Sequence, residues 1–295
     1  MRDSPNQWHR AGALLVIVAS GCTDPDLASG LDTAGPPTVS AVIVTGETGN
    51  EATYCNPDRG NRTPNVCVAG QPVEPVTDVR PLNWTARVVF KELLDPAIED
   101  IDSTTGDGSI ARAHPFTLTC GGAVVAYDGF YDPSGNHETT PVGPALVIHA
   151  HTQPGAATAA ACRLAINPGT VHDKDGAPAP SDVAFAFTIA PLQVRSSGPA
   201  AGATGVDPAA PITITLNSRI DAASLAGNVT VTGTTGPAIA AAVTVLANDP
   251  TTIVIDPAAA LAHGATYTVA VNAGVRDTLG GALAAPHSFA FTTAP

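Results

Sequence analysis

The segment Phe185-Ala186-Phe187-Thr188-Ile189-Ala190-Pro191 returns near the end of the chain as Phe289-Ala290-Phe291-Thr292-Thr293-Ala294-Pro295. The likeness extends upstream. Leu164-Ala165-Ile166-Asn167 followed by Val171-His172-Asp173 matches Val269-Ala270-Val271-Asn272 followed by Val275-Arg276-Asp277. Earlier still, Val88–Asp95 matches Ile214–Asp221. Order and spacing recur together, so the chain reads as a duplication in which each copy closes a core of its own. In both closing segments Phe alternates with a small residue, the period-2 pattern of a strand with one buried face.

The second copy is the cleaner one. Short runs rich in Val, Ile and Thr are expected as strands at Leu192–Arg195, Ile212–Leu216, Val229–Thr232, Ala240–Leu246, Thr252–Ile255, Thr266–Asn272 and Ser288–Thr293. Within the sixth, Tyr267, Val269 and Val271 alternate with Thr268 and Ala270. Seven short strands separated by turn signals predict an Ig-like β-sandwich. The abundance of turn formers, 28 Gly and 27 Pro, favours an all-β chain over a helical one.

This unit resembles the bacterial Ig-like domain of S-layer proteins, the SbsA type. The resemblance rests on Pro199 with Gly202-Ala203-Thr204-Gly205-Val206, on Ile214–Ile220, and on Pro257 with Leu261–Val269. It closes on Val275–Gly280 and Phe289–Thr293, and covers nearly all of residues 192–295. Leu216-Asn217-Ser218 departs from the Phe-Ser form usual there. The resemblance implies a sandwich fold and surface placement, and it brings no catalytic residues.

Residues 37–191 read as a divergent Ig-like copy with insertions. Gly46–Val79, which carries Cys55 and Cys67, is expected to bulge from the first connection; Asp95–His114 is acidic and turn-rich. Asp132-Pro133-Ser134-Gly135-Asn136 is a turn signal. Trp84 is expected on a strand sharing one face with Val88 and Phe90, as a core anchor, with sugar stacking as the rival role.

The amino terminus speaks to location. Arg2 and Arg10 precede the apolar run 11–19, and Ala19-Ser20-Gly21-Cys22 follows. A basic start, a short apolar run and small residues make a secretory leader, too short to span a bilayer. Here the chain resembles bacterial lipoproteins. That resemblance implies cleavage after residue 21, lipid on Cys22, and residues 22–36 as a lipidated, breaker-rich tether. Acyl chains contribute roughly 0.8 kcal/mol per buried CH₂, so several together anchor stably. Thr23 after the cysteine favours the outer membrane.

The net charge of −13 disfavours nucleic acid, whose phosphates it repels. With Cys22 taken by lipid, Cys55, Cys67, Cys120 and Cys162 remain, an even number for an oxidising compartment. Three pairings exist, and Cys55–Cys67 with Cys120–Cys162 is favoured because the first two are close in sequence and the others sit on strands.

No chemistry-bearing motif stands out. His149 and His151 lie two apart on a strand and face one side, an arrangement that suits a shared metal or an ordinary surface pair. Asp173-Lys174-Asp175-Gly176 has the look of a calcium loop but lacks its later ligands, and Asp277 holds the matching turn in the second copy. Nucleophile-elbow, zinc-protease and phosphate-loop motifs are absent from the sequence. The reading is therefore a non-enzymatic, lipid-anchored envelope protein with no catalytic residue, no metal site and no cofactor. It is a structural or adhesive spacer or interaction module whose partners are the membrane, through Cys22, and an envelope protein or glycan. A carbohydrate- or calcium-binding surface module is the alternative, and a periplasmic hydrolase a weaker one.

Overall fold

The computed structural model describes residues 35–47, 50–55, 76–98, 100–102, 114–133, 144–180, 183–234 and 236–295. The leader, Cys22, nearly all of the tether and the Cys55–Cys67 pairing lie outside these residues. The described chain is all-β.

The second copy folds into β12 (Val194–Gly198), β13 (Ile212–Leu216), β14 (Val229–Gly233), β15 (Ala241–Leu246), β16 (Asp249–Pro257), β17 (Thr266–Val271) and β18 (His287–Thr292). One sheet runs β12-β13-β16-β15 and the other β14-β17-β18. That is the A-B-E-D and C-F-G order of a seven-strand Ig-like sandwich. Alternation decides which side chains meet between the sheets. Ile212, Ile214 and Leu216 from β13 face Tyr267, Val269 and Val271 from β17, with Phe289 and Phe291 from β18 completing the core. Each such side chain, fully buried, contributes about 1.5–3 kcal/mol.

The first copy repeats this plan. β1 (Val39–Thr45), β4 (Thr85–Phe90), β9 (Ala145–Ala150) and β8 (Tyr127–Asp132) form the A-B-E-D order. β6 (Phe116–Cys120), β10 (Ala161–Ile166) and β11 (Ala184–Ile189) form the C-F-G order. Four further strands extend the edges: β2 (Asn50–Cys55) beside β1, β5 (Asp100–Asp102) beside β8, β3 (Val76–Val79) beside β11 and β7 (Ala123–Val124) beside β6. The insertion expected in the first connection thus adds β2 and β3. The core runs from Val39 to Ile189 and is separate from the one between Leu192 and Phe291.

Register makes the equivalence concrete. Leu164 pairs with Phe185 as Val269 pairs with Phe289. Cys162 pairs with Phe187 as Tyr267 pairs with Phe291. Cys120 and Cys162, direct partners on β6 and β10, are joined by a disulfide. The bond therefore lies within one sheet, where the second unit places Gly233 opposite Tyr267. In both units the last strand also takes a parallel neighbour, Val79 beside Ile189 and Val206 beside Thr293.

One expected strand moves. Leu192–Arg195 is replaced by Val194–Gly198, because Leu192 is drawn wholly into the second core and bridges Leu283 instead. The ladder to β13 starts only where Val194 meets Leu216. The strand expected at Thr252–Ile255 is longer at both ends, since β15 pairs with it from Asp249 to Pro257.

Candidate functional site

Two aspartates organise equivalent turns. Asp173 Oδ1 accepts the backbone N–H groups of Asp175 and Ala177 at 2.9 and 2.7 Å. Asp277 Oδ1 accepts those of Leu279 and Gly281 at 2.8 and 2.9 Å. Both side chains are buried, and both turns dock on the segment after the second core strand, through Leu94 and Ile220. The calcium-like look of Asp173–Gly176 therefore has a structural cause: the leading carboxylate turns inward to satisfy its own loop. Lys174 is held to Asp175 at 2.8 Å, and this hydrogen bond raises its pKa.

Asp277 does one thing Asp173 does not. Its Oδ2 accepts the Thr158 N–H of the first unit at 2.7 Å. A second contact joins the two units. Glu47 presents Oε1 to Asn217 Nδ2 at 2.9 Å and pairs through Oε2 with Arg195. Asn217 also donates to the Pro191 carbonyl at 2.9 Å and accepts the Gln193 N–H at 3.0 Å. Its amide thus grips both ends of the link between units and one residue of the first. Beside this clamp lies a cavity of about 370 Å³, whose walls include Glu47, Arg80, Leu82, Asn83, Arg195 and Asn217.

The other residues singled out from sequence fall elsewhere. His149 sits on β9 and His151 just beyond its end, and a partner exists that sequence did not supply. Asp128 on the neighbouring β8 places Oδ1 2.5 Å from His149 Nε2 and Oδ2 3.4 Å from His151 Nδ1. One carboxylate thus reaches both rings. Among the described residues no group of three or more His, Cys, Asp and Glu side chains is arranged to hold a metal. Trp84 precedes β4 rather than lying on it, is wholly buried, and meets Phe187 edge-on with ring centroids 5.5 Å apart. It is a core anchor, and burial removes it from sugar stacking.

Two further groups titrate abnormally. Burial pushes the Tyr131 phenol above its usual range, against the lowering effect of the Leu94 N–H that it accepts. Asp249 is held below the ordinary aspartate value by hydrogen bonds from the Thr251 and Thr252 hydroxyls at 2.6 and 2.7 Å.

Sequence reasoning missed Glu47, Arg80, Arg195 and Asp128, which look like ordinary surface charges. Asn217 did leave a signal: it stands where the S-layer pattern was broken.

Residues 188–293 match the bacterial Ig-like domain family. Among solved structures, the copper resistance protein PcoC of Escherichia coli is 23% identical over 35% of this chain and 99% of its own, with a TM-score of 0.30. The N-terminal part of the bacterial S-layer protein SbsC is 21% identical over 35% of this chain and 24% of its own, with a TM-score of 0.28. Rst D1-D2 is 13% identical over 69% of this chain and 99% of its own, with a TM-score of 0.23. A search of curated proteins finds no match. Among the described residues no helix is long and apolar enough to cross a membrane.

Proposed function

We propose that this chain is a lipid-anchored cell-envelope protein that holds two Ig-like sandwiches away from the membrane as a structural or adhesive interaction module. The observation that carries the reading is the clamped junction: Asp277 on Thr158, and Glu47 on Arg195 and Asn217, tie the two units together across a link of a few residues. A spacer needs that stiffness. The bacterial Ig-like match at 188–293 supports display outside the cytoplasm, and the order of basic, apolar and small residues before Cys22 supports export and lipidation. Partners are then the bilayer through Cys22 and an envelope protein or glycan at the exposed loops, since rigid sandwiches present variable loops at their ends.

The test is metabolic labelling with a palmitate analogue, followed by mass spectrometry of the amino terminus. A diacylglyceryl-modified Cys22, lost in Cys22→Ser together with membrane association, is the expected result. An unmodified, uncleaved chain in the cytosol overturns it.

A further inference from the structure

We propose that the cavity at the junction binds a small carboxylate, either a sugar acid or a simple organic acid, between Arg80 of the first unit and Arg195 of the second. The argument starts from which polar groups there are already engaged. Both oxygens of Glu47 are taken, by Asn217 and Arg195. Both ends of the Asn217 amide are taken as well. These two side chains are frame.

The remaining groups still have capacity. Among the described residues the Arg80 side chain donates only through Nε, to the Gly46 carbonyl at a long 3.4 Å, and no carboxylate pairs with it. Arg80 lines the space, and among the described residues its two terminal nitrogens, with four N–H groups, have no partner. Arg195 gives one terminal nitrogen to Glu47, and among the described residues its other terminal nitrogen and Nε have no partner. Asn83 is held in place through its backbone N–H by Gln153 Oε1 at 2.9 Å, in a left-handed conformation with φ 54°, and it also lines the cavity. Leu82 supplies an apolar wall.

Two guanidiniums against one carboxylate leave the cavity cationic, in a chain whose net charge is −13. A planar guanidinium with free donors matches a carboxylate in a two-pronged fit, which a neutral ligand cannot use as well. The depression is open to solvent, and its volume of about 370 Å³ is enough for a small acid. The site draws on both units, so it exists only while the junction is clamped. It does not rest on lipidation or on where the chain is displayed.

Calorimetry on the full chain tests this, with galacturonate, galactose and acetate as probes. Galacturonate is expected to bind at least tenfold more tightly than galactose. Arg80→Gln, which gives up one long hydrogen bond, is expected to weaken galacturonate binding tenfold or more at an unchanged melting temperature. Acetate as tight as galacturonate assigns the site to simple carboxylates; galacturonate tighter than acetate assigns it to sugar acids. Asn83→Asp, which adds a negative charge and leaves Arg80 in place, is expected to weaken both acids and serves if Arg80→Gln lowers stability. Equal binding of galacturonate and galactose, parental affinity in both variants, or no heat from either acid at millimolar concentration overturns the proposal.

Discussion

The Asp277 carboxylate of the second unit accepts the Thr158 N–H of the first at 2.7 Å, and the same side chain holds its own turn through Leu279 and Gly281. One buried group therefore serves both a local turn and the union of the two sandwiches. Asp277→Ala strips three backbone N–H groups of a charged acceptor, which we expect to cost about 3–5 kcal/mol. Asp173→Ala, which strips two and touches no other unit, is expected to cost about 2–3 kcal/mol. Differential scanning calorimetry distinguishes them: Asp277→Ala should split the unfolding into separate transitions for the two units, while Asp173→Ala should lower only the first unit's.

Gly281 makes room for that contact. A Cβ built there would overlap Thr158 Oγ1 and lie 2.6 Å from Asp277 Oδ2 and 2.8 Å from the Thr158 nitrogen. The first unit carries Ala177 at the equivalent place, accepting from the N–H of Asp173 as Gly281 does from that of Asp277. Gly281→Ala should destabilise by about 1–3 kcal/mol, the usual cost of overpacking. Amide exchange at Thr158 should quicken, and Ala177→Gly should leave it unchanged.

The Cys120–Cys162 bond closes a loop across a sequence separation of 42. The chain-entropy relation assigns such a loop about 4 kcal/mol. Reduction, or Cys120→Ala with Cys162→Ala, should lower the first unit's denaturation midpoint and leave the second unit's in place. Urea titration read at Trp84, buried against Phe187, reports the first unit alone once Trp8 is replaced.

Asp249 sets an acid limit on the β15–β16 hairpin. Its carboxyl titrates below the ordinary 3.8 because the Thr251 and Thr252 hydroxyls bond its charged form. A folded-state value below the unfolded one stabilises fully above the unfolded value, and the gain is lost as pH falls through the folded one. Between neutral pH and pH 5 the hairpin's stability should be flat with respect to this group, then decline as it protonates. Asp249→Asn should remove that part of the decline; a curve as steep as the parent's refutes the assignment.

Much of the second unit was legible because its core strands carry alternation strong enough to name their buried faces, as at Ile212, Ile214 and Leu216 and at Tyr267, Val269 and Val271. Leu192 was misread for a related reason: an apolar residue beside a strand looks the same whether it continues the ladder or fills the core. The aspartate turns were visible as a repeat, but only geometry shows Asp277 reaching Thr158, at a sequence separation of 119. The cavity was invisible from sequence, because Arg80 and Arg195 become neighbours only when two separately folded sandwiches meet. Asp128 was hidden likewise, since it reaches His149 across the pairing of β8 with β9.

The parallel pairs Val79 with Ile189 and Val206 with Thr293 respond to a pull differently from the antiparallel ladders around them. Drawing the early strand backward and the last strand forward slides parallel neighbours past each other. Their bonds, including Ala190 N–H to the Val79 carbonyl at 2.7 Å and Ala294 N–H to the Val206 carbonyl at 2.8 Å, are then loaded together rather than peeled one at a time. Tension applied across such a pair is met in shear, the geometry in which a short ladder resists hardest.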